Sequence, residues 1–175
     1  VDLKKSKVEL EKNNWIKSVK LKYSLPSNLL IMIREEKPIF LLKDSEKISL
    51  LNVEGKKIQD IEIVSNDYKN LLILSGRGVE NKIFNLLNIF SVSTSLSEEI
   101  KEATLISSRR WSLKHSANII IELPEDNPSK AFHKIVELEK KYGFLHKRLK
   151  KIDLRASDRM IIELKKVSDL KENDI

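Results

Sequence analysis

The sequence has 175 residues, with 33 lysines and arginines against 26 acidic residues, a formal net charge of +7, and no cysteine. A chain of this length forms one medium domain or two small ones, and the lack of cysteine excludes disulfides, thiol nucleophiles and thiolate metal sites. The basic balance suits nucleic acid, an anionic membrane surface or an acidic protein partner, and does not choose among them. No run of about 18 apolar residues occurs, so the sequence predicts no membrane-spanning helix within this stretch.

The first 37 residues predict a helix followed by a β-hairpin. Asp2 has the chemistry of a helix N-cap, and the pair Asn13-Asn14 is expected to end the helix. Apolar residues alternate with lysines over 19–23, which predicts a half-buried strand, and a second strand is expected over 29–33. A unit of this size makes a poor core alone, so we expect that it lacks an upstream part or packs on the residues after it.

After Pro38 the sequence becomes rich in predicted strands. Proline cannot donate to a central ladder, so Pro38 suits a linker or the start of a strand. Strands are predicted at 39–42, 48–53, 57–63, 71–74, 103–107, 111–114, 118–123, 151–154 and 160–164. The second and third of these form a predicted hairpin, and the last two are close enough in sequence to form one long bent strand.

Two main helices separate these strands. The first is expected to open at Gly78 and to continue to Phe90, because its apolar residues follow the helical period. The second begins at Asn127-Pro128, an N-cap followed by proline at the first helical position, and ends at Gly143. A short helix or turn is expected near Ser97. The predicted fold class is α+β, a partial α-β-β unit followed by a strand-rich, mixed or antiparallel β domain.

The candidates for catalysis or metal binding are weak. The three histidines, His115, His133 and His146, are scattered, and we expect none of them to have a carboxylate or second histidine at metal-ligand spacing. The segment 75–78 has two glycines but no following Gly-Lys-Ser/Thr, which favours a tight turn over a phosphate loop. Glu35 and Glu36 would point to opposite faces of a strand. We therefore expect no enzyme activity and no catalytic, cofactor-binding or metal-binding residue.

A basic run covers Lys140–Lys151, where two clusters of lysine and arginine have no acid between them. One interpretation is a solvated helix end, because cations are favourable at a helix C-terminus. The alternative function is a surface module that binds nucleic acid or anionic lipid. Aromatic residues are 6% of the chain, few for a protein that stacks bases, which favours the other interpretations over nucleic acid.

The segment Ile152–Leu164 ends the predicted folded region. A terminal strand often lies at a sheet edge with unpaired N–H and C=O groups. An edge that is not blocked by proline or a bulge can accept a strand from another chain. Completion of the sheet without a partner is an equally good interpretation of the sequence.

Short motifs in order along nearly the whole chain resemble the FtsQ family of bacterial cell-division proteins, called DivIB in Gram-positive bacteria. The first half contributes Val1-Asp2-Leu3, Leu10-Glu11, Trp15–Val19, Leu25-Pro26 with Leu30, Ile31 and Ile33, and Glu35 with Pro38. The second half contributes Leu74-Ser75-Gly76, Arg109-x-Trp111-Ser112-Leu113, Ile119–Pro124 and Ile152–Arg155. Their order and spacing together are more specific than any one of them.

The resemblance implies a partial POTRA domain at 1–37, an FtsQ-type β domain at 38–167 and a polar C-terminal tail at 168–175. The first strand and first helix of the POTRA order would lie upstream, together with a short cytoplasmic tail and one transmembrane helix. The chain would then be anchored in the inner membrane and face the periplasm at the division septum. Members of this family act as divisome scaffolds and not as enzymes.

The resemblance also implies protein partners, FtsB and FtsL, and no nucleic acid. FtsB would add a strand along the last β-strand of this chain, and Arg109 and Arg155 would hold an acidic residue of FtsB. The residues expected to pair with the incoming strand are Ala156, Asp158, Arg159, Met160 and Ile162. Two of these positions depart from the family: an aromatic residue is common where Ala156 stands, and a small Ser-Gly pair where Asp158-Arg159 stands.

Overall fold

The computed structural model describes residues 2–166 except 25, 27, 46, 147 and 157. The chain divides into two compact units, residues 1–71 and residues 72–175. The boundary predicted after residue 37 is a different division of the chain and stays a prediction. The predicted tail at 168–175 lies outside the described residues.

The first unit begins with the predicted helix and hairpin. Helix α1 covers Leu3–Glu11, and the Asp2 carboxylate caps it by accepting the backbone N–H groups of Lys4 and Lys5. Strands β1 (Ile16–Ser24) and β2 (Asn28–Glu35) pair antiparallel. Both strands are longer than predicted, and only one residue of β1, Val19, is fully buried.

Three further strands of the first unit form an antiparallel meander. Strand β3 covers Phe40–Lys43, β4 covers Ile48–Leu51 and β5 covers Lys57–Ile61. The predicted hairpin of the second and third strands is confirmed by the pairing of β4 with β5. Burial of Phe40, Leu41, Leu50 and Leu51 gives this meander its apolar side.

The second unit is a six-stranded mixed sheet. Its strands are β6 (Leu72–Ser75), β7 (Ile100–Ile106), β8 (Arg110–His115), β9 (Ile120–Glu122), β10 (Leu149–Asp153) and β11 (Ile161–Leu164). They lie in the order β11-β10-β9-β8-β7-β6, with β6–β7 and β9–β10 parallel and the other neighbours antiparallel. The α+β fold class is therefore confirmed.

Three helices accompany this sheet: α2 (Ile83–Phe90), α3 (Thr94–Glu98) and α4 (Pro128–Tyr142). The ring centroids of Phe90 in α2 and Phe132 in α4 lie 5.9 Å apart, so the two longer helices pack together. Trp111 of β8 is 1% exposed, so its indole lies in the core of this unit. Gly143 ends α4, as predicted, and it adopts the left-handed conformation. No described helix is long and apolar enough to cross a membrane.

The expectation of one long bent strand near the C-terminus is wrong. Strands β10 and β11 pair antiparallel, with Ile152 opposite Ile162, so the chain reverses between them. The reversal begins where the Asp153 carboxylate accepts the backbone N–H of Arg155 over 3.0 Å. An aspartate that binds the backbone two residues ahead forms an Asx turn, which leaves the extended conformation.

Candidate partner-binding edge

Strand β11 forms one edge of the six-stranded sheet. Among the described strands it pairs only with β10. Directly after β11, Lys165 donates its backbone N–H to the carbonyl of Arg148 over 2.9 Å. Backbone groups of an antiparallel strand alternate between its two sides, so the N–H and C=O groups of Ile162 and Leu164 face away from β10.

Three of the four side chains of β11 are apolar and exposed, and the fourth is Glu163. Ile161 is 54% exposed, Ile162 42% and Leu164 62%. Residues that pair across strands share a face of the sheet, so Ile162 lies beside the buried Ile152. The apolar row of the core thus extends to an edge where no other described element covers it.

The structure separates the predicted strand residues into two groups. Ile162 lies in β11 itself. Ala156, Asp158, Arg159 and Met160 lie in the connection between β10 and β11, and they line an open cleft against α4. Their placement in an added ladder is therefore untested, and the described ladder of β11 begins only at Ile161.

Arg155 stands at the start of this connection and is held by Asp153. Its Nε lies 2.9 and 3.0 Å from the two carboxylate oxygens of Asp153, and its Nη2 lies 2.5 Å from Oδ2. The hydrogen bond from Arg155 holds the pKa of the Asp153 carboxyl below its usual range. The carboxylate in turn raises the pKa of the Arg155 guanidinium. Nη1 has no acceptor among the described residues, so one side of the guanidinium can still donate.

Arg109 lies at the same end of the sheet. It forms an ion pair with Glu125, with 3.4 Å between Nη1 and Oε2, just beyond the end of β9. Strands β9 and β10 are parallel, so the segments after them leave the sheet at one end. The two arginines that the sequence singled out therefore share that end, although each already has a carboxylate partner within the chain.

The cleft is the feature that the sequence did not reveal. It has a volume of about 350 Å³ and lies between α4 and the connection 154–160. Ala131, Leu154 and Met160 give it an apolar lining, and Lys130 and Lys134 stand on the α4 side. Residues four apart lie on one helical face, so the sequence places these two lysines together. It gives no sign that a segment over 20 residues later lies opposite them.

The basic run of the sequence is divided in the structure. Lys140 and Lys141 lie in the last turn of α4, as expected for a favourable helix end. Lys150 and Lys151 lie on β10, where Lys150 pairs with Glu163 at 2.8 Å and Lys151 with Glu122 at 3.4 Å. Acids distant in sequence thus accompany part of the run, and Lys147 lies outside the described residues. Binding of nucleic acid or lipid through Lys140–Lys151 stays a prediction.

The residues that the sequence disfavoured as metal ligands or as a phosphate loop are the histidines and the glycines of segment 75–78. His115 is buried, and its Nδ1 accepts the backbone N–H of Ala117. His133 is exposed on α4, 3.7 Å from Glu137, so the expectation that no histidine has a carboxylate at i+4 is wrong here. No group of three potential metal ligands occurs among the described residues. A Cβ on Gly76 would lie 2.3 Å from the carbonyl oxygen of Leu105, so this glycine serves close packing on β7.

The second unit is thus an α+β domain whose mixed sheet ends in an exposed, largely apolar edge strand. Comparison with known proteins identifies the family. Residues 41–155 match the model of the family described as "Cell division protein FtsQ/DivIB, C-terminal". The chain belongs to this cell-division family.

Curated relatives named cell division protein FtsQ match nearly the whole chain. The protein from Novosphingobium aromaticivorans is 25% identical over 166 residues, which cover 94% of this chain and 51% of the relative. The protein from Rickettsia bellii is 30% identical over 155 residues, which cover 88% and 57%. The chain therefore spans about half the length of these relatives.

Among solved structures, the major extracytoplasmic domain of DivIB from Geobacillus stearothermophilus matches at a TM-score of 0.43 and 8% identity. The match covers 63% of this chain and 96% of that domain.

Proposed function

We propose that this chain is a non-enzymatic part of a divisome scaffold that binds FtsB and FtsL by strand addition at β11. The observation that carries the proposal is the open edge of the sheet, where the backbone groups of Ile162 and Leu164 face outward beside exposed apolar side chains. Membership of the cell-division family supplies the class of partner.

The energetics of strand addition show what else the partner must supply. Each backbone hydrogen bond contributes about 0.5–1.5 kcal/mol net, whereas ordering an incoming strand costs about 1–2 kcal/mol per residue. The backbone hydrogen bonds of a ladder alone therefore give little net free energy of binding. Apolar contact with Ile162 and Leu164 adds to it, and so does a charged pair that is made only in the complex.

Arg109 and Arg155 are the proposed anchors for an acidic residue of FtsB. Both arginines lie at the same end of the sheet, and the N–H groups on Nη1 of Arg155 have no acceptor among the described residues. Asp153 fixes the guanidinium through two of its nitrogens. This arrangement holds the Nη1 side of the guanidinium in a defined direction. Donors that are preorganised in this way lose less entropy on binding.

The remaining parts of the proposal concern the location of the protein in the cell and the roles of its two domains. In it, residues 1–37 are part of a POTRA domain that contacts other divisome proteins, and residues 38–167 are the β domain. An upstream transmembrane helix anchors the protein in the inner membrane, with this part in the periplasm at the septum. The matched residues are 51% and 57% of these two curated relatives, which leaves room for these segments.

A pair of proline substitutions tests strand addition. Proline removes a backbone donor. Ile162→Pro removes one that faces outward, so it should abolish binding of the extracytoplasmic FtsB–FtsL complex and leave most of the stability. Ile161→Pro is the control, because the alternation of the strand turns its N–H toward β10, and it should lower the unfolding midpoint as well. Calorimetric binding and urea unfolding give the two readouts. Wild-type affinity of Ile162→Pro would rule out strand addition at β11.

A further inference from the structure

The β1–β2 hairpin of the first unit has one face that helix α1 does not cover. Helix α1 contacts β1, and the burial of Val19 places the helix on the face of that residue. The residues of β1 that alternate with Val19, and their partners across the ladder, lie on the other face. This second set forms the hairpin face, which consists of Ser18, Lys20, Lys22 and Ser24 of β1 and Asn28, Leu30, Met32 and Arg34 of β2.

The hairpin face carries three cations and no acid. Lys20, Lys22 and Arg34 are exposed, and their side chains form no ion pair with a described residue. By contrast, Lys7 and Lys12 of α1 each form an ion pair with a glutamate of the same helix. No described residue therefore neutralises the charge of the hairpin face.

Apolar side chains lie directly beside these cations. Leu30 is 49% exposed and Met32 is 44% exposed. Lys22 lies opposite Leu30, and Lys20 lies opposite Met32. Neighbouring strands are about 4.8 Å apart, so a basic row on β1 runs parallel to an apolar row on β2. Large apolar side chains exposed beside unpaired cations indicate a contact surface.

An anionic lipid surface satisfies both rows at once. Phosphate groups of the lipid headgroups bind lysine and arginine, and apolar side chains enter the boundary between headgroups and acyl chains. Nucleic acid would satisfy only the basic row, because no residue of the hairpin face is aromatic and able to stack on a base. A bilayer also requires no concave site, and the hairpin face is one side of a two-stranded sheet.

We infer that the hairpin face docks on a bilayer surface that contains anionic phospholipid. Lys20, Lys22 and Arg34 bind headgroup phosphates, and Leu30 and Met32 enter the interface. Each cation held at an anionic surface raises the affinity by about fivefold, so three cations give a weak and reversible attachment. This inference concerns the first unit and lipid, and it does not depend on strand addition at β11.

Charge reversal tests the basic row, with the purified chain and vesicles of phosphatidylcholine that contain about one third phosphatidylglycerol. The chain should cosediment with these vesicles and not with phosphatidylcholine alone, and high salt should weaken the binding because it screens the charges. Lys20→Glu with Lys22→Glu should weaken the binding by at least roughly 20-fold. Lys140→Glu with Lys141→Glu makes the same change in net charge at the end of α4, and should weaken the binding by less than about threefold.

Threonine substitutions test the apolar row at constant charge. Leu30→Thr with Met32→Thr should weaken binding to the anionic vesicles by roughly fivefold or more, because less apolar surface enters the bilayer. Leu29→Thr with Ile31→Thr is the control, because these residues lie on the opposite face of the same strand, and it should leave the affinity unchanged. A cooperative urea transition shows that each variant folds.

Loss of binding in both hairpin-face variants, with retention in both controls, is the expected result. Absence of wild-type binding to the anionic vesicles at low salt would overturn the inference. An equal or greater loss in the Lys140/Lys141 variant would assign the contact to net charge or to the basic run, and would also overturn it. Wild-type affinity of the Leu30/Met32 variant would show a general attraction to polyanions, nucleic acid included, and would refute docking on lipid. No assay contains FtsB or FtsL, so each of these outcomes leaves strand addition at β11 unaffected.

Discussion

At the scale of single residues, Arg155 combines an internal partner with a free side. Its ion pair with Asp153 is exposed on the arginine side, and exposed pairs contribute little to folding. Arg155→Ala should therefore weaken FtsB–FtsL binding by roughly tenfold or more and lower the urea midpoint only slightly, because the exposed pair with Asp153 contributes little to folding. Arg148→Ala, an exposed arginine before β10, is the control and should leave both quantities unchanged. A large drop in the midpoint of Arg155→Ala would assign this arginine to the fold.

The core of the second unit depends on one polar contact that a residue-scale test can isolate. Trp111 is 1% exposed, and its indole N–H donates to the Asn85 side-chain oxygen over 2.8 Å. Asn85→Ala removes the acceptor and should lower the free energy of unfolding by about 1–3 kcal/mol. Asn88→Ala makes the same change one turn later on α2, where the side chain has no such bond among the described residues, and should cost less than about 0.5 kcal/mol. Urea unfolding followed by tryptophan fluorescence measures both, and equal losses would contradict this role for Asn85.

Single residues also show which features of the structure can be predicted from the sequence. The N-cap Asp2 and the end of α4 at Gly143 were predicted because each depends on local chemistry that a few neighbouring residues specify. The partners of Arg109 and Arg155 were not, because a short motif names the arginine but not the carboxylate that folds against it. Asp153 stands only two residues from Arg155. This spacing did not predict the turn that brings the two side chains together, because residues two apart in a straight strand also lie on one face.

At the scale of elements, the reversal between β10 and β11 decides where the proposed edge lies. Periodicity located both strands to within two residues, since apolar alternation is a local signal. It could not distinguish a bent strand from a hairpin, because that choice depends on the Asx turn at Asp153 and on which neighbour β10 prefers. The reversal puts β11 outside β10, and only then does Ile162 acquire an outward-facing backbone.

Strand β2 of the first unit also exposes apolar side chains. Its residues Leu29–Ile33 are 39–49% exposed, on both faces of the hairpin. Leu30→Thr with Met32→Thr should leave the unfolding free energy within about 0.5 kcal/mol, because little buried area is lost. It should also reduce self-association, seen by light scattering, because exposed apolar strands promote association. Val19→Thr, at a position that is 1% exposed in β1, is the contrasting control and should lower the unfolding midpoint clearly.

At the scale of the whole molecule, the sequence predicted the fold class and most elements but not the order of the strands. Strand order depends on contacts between segments far apart, such as the parallel pairing of β9 with β10 across α4. The cleft is invisible to sequence for the same reason, since it joins α4 to the connection 154–160. The net charge of +7 predicted an acidic protein partner only as one of three classes, beside nucleic acid and an anionic membrane surface. The structure adds a location for that charge, because Lys130 and Lys134 of α4 form no ion pair with a described residue.

Three carboxylates distributed over the molecule give its stability a defined dependence on pH. Hydrogen bonds from Lys57, Arg155 and Lys150 lower the pKa values of Asp60, Asp153 and Glu163 below the usual 3.8 for aspartate and 4.5 for glutamate. A lowered folded-state pKa means that the unfolded chain takes up the proton at a higher pH than the folded chain. The stabilisation is therefore complete above the unfolded values and is lost as the pH falls through the folded ones. These groups should leave the urea midpoint unchanged between about pH 6 and pH 8 and lower it below about pH 4.

Asp153→Asn tests this dependence at the group that also positions Arg155. The amide cannot titrate, so the variant should lose stability at about pH 7, where the wild-type pair is complete, and lose less than the wild type between about pH 7 and pH 3. The two unfolding curves should therefore converge in acid. Glu98→Gln, a change at an exposed carboxylate of α3 that has no ion pair among the described residues, is the control, and its unfolding curve should stay parallel to that of the wild type. Curves of Asp153→Asn and wild type that stay parallel down to about pH 3 would mean that the Asp153 pair does not contribute to the acid dependence.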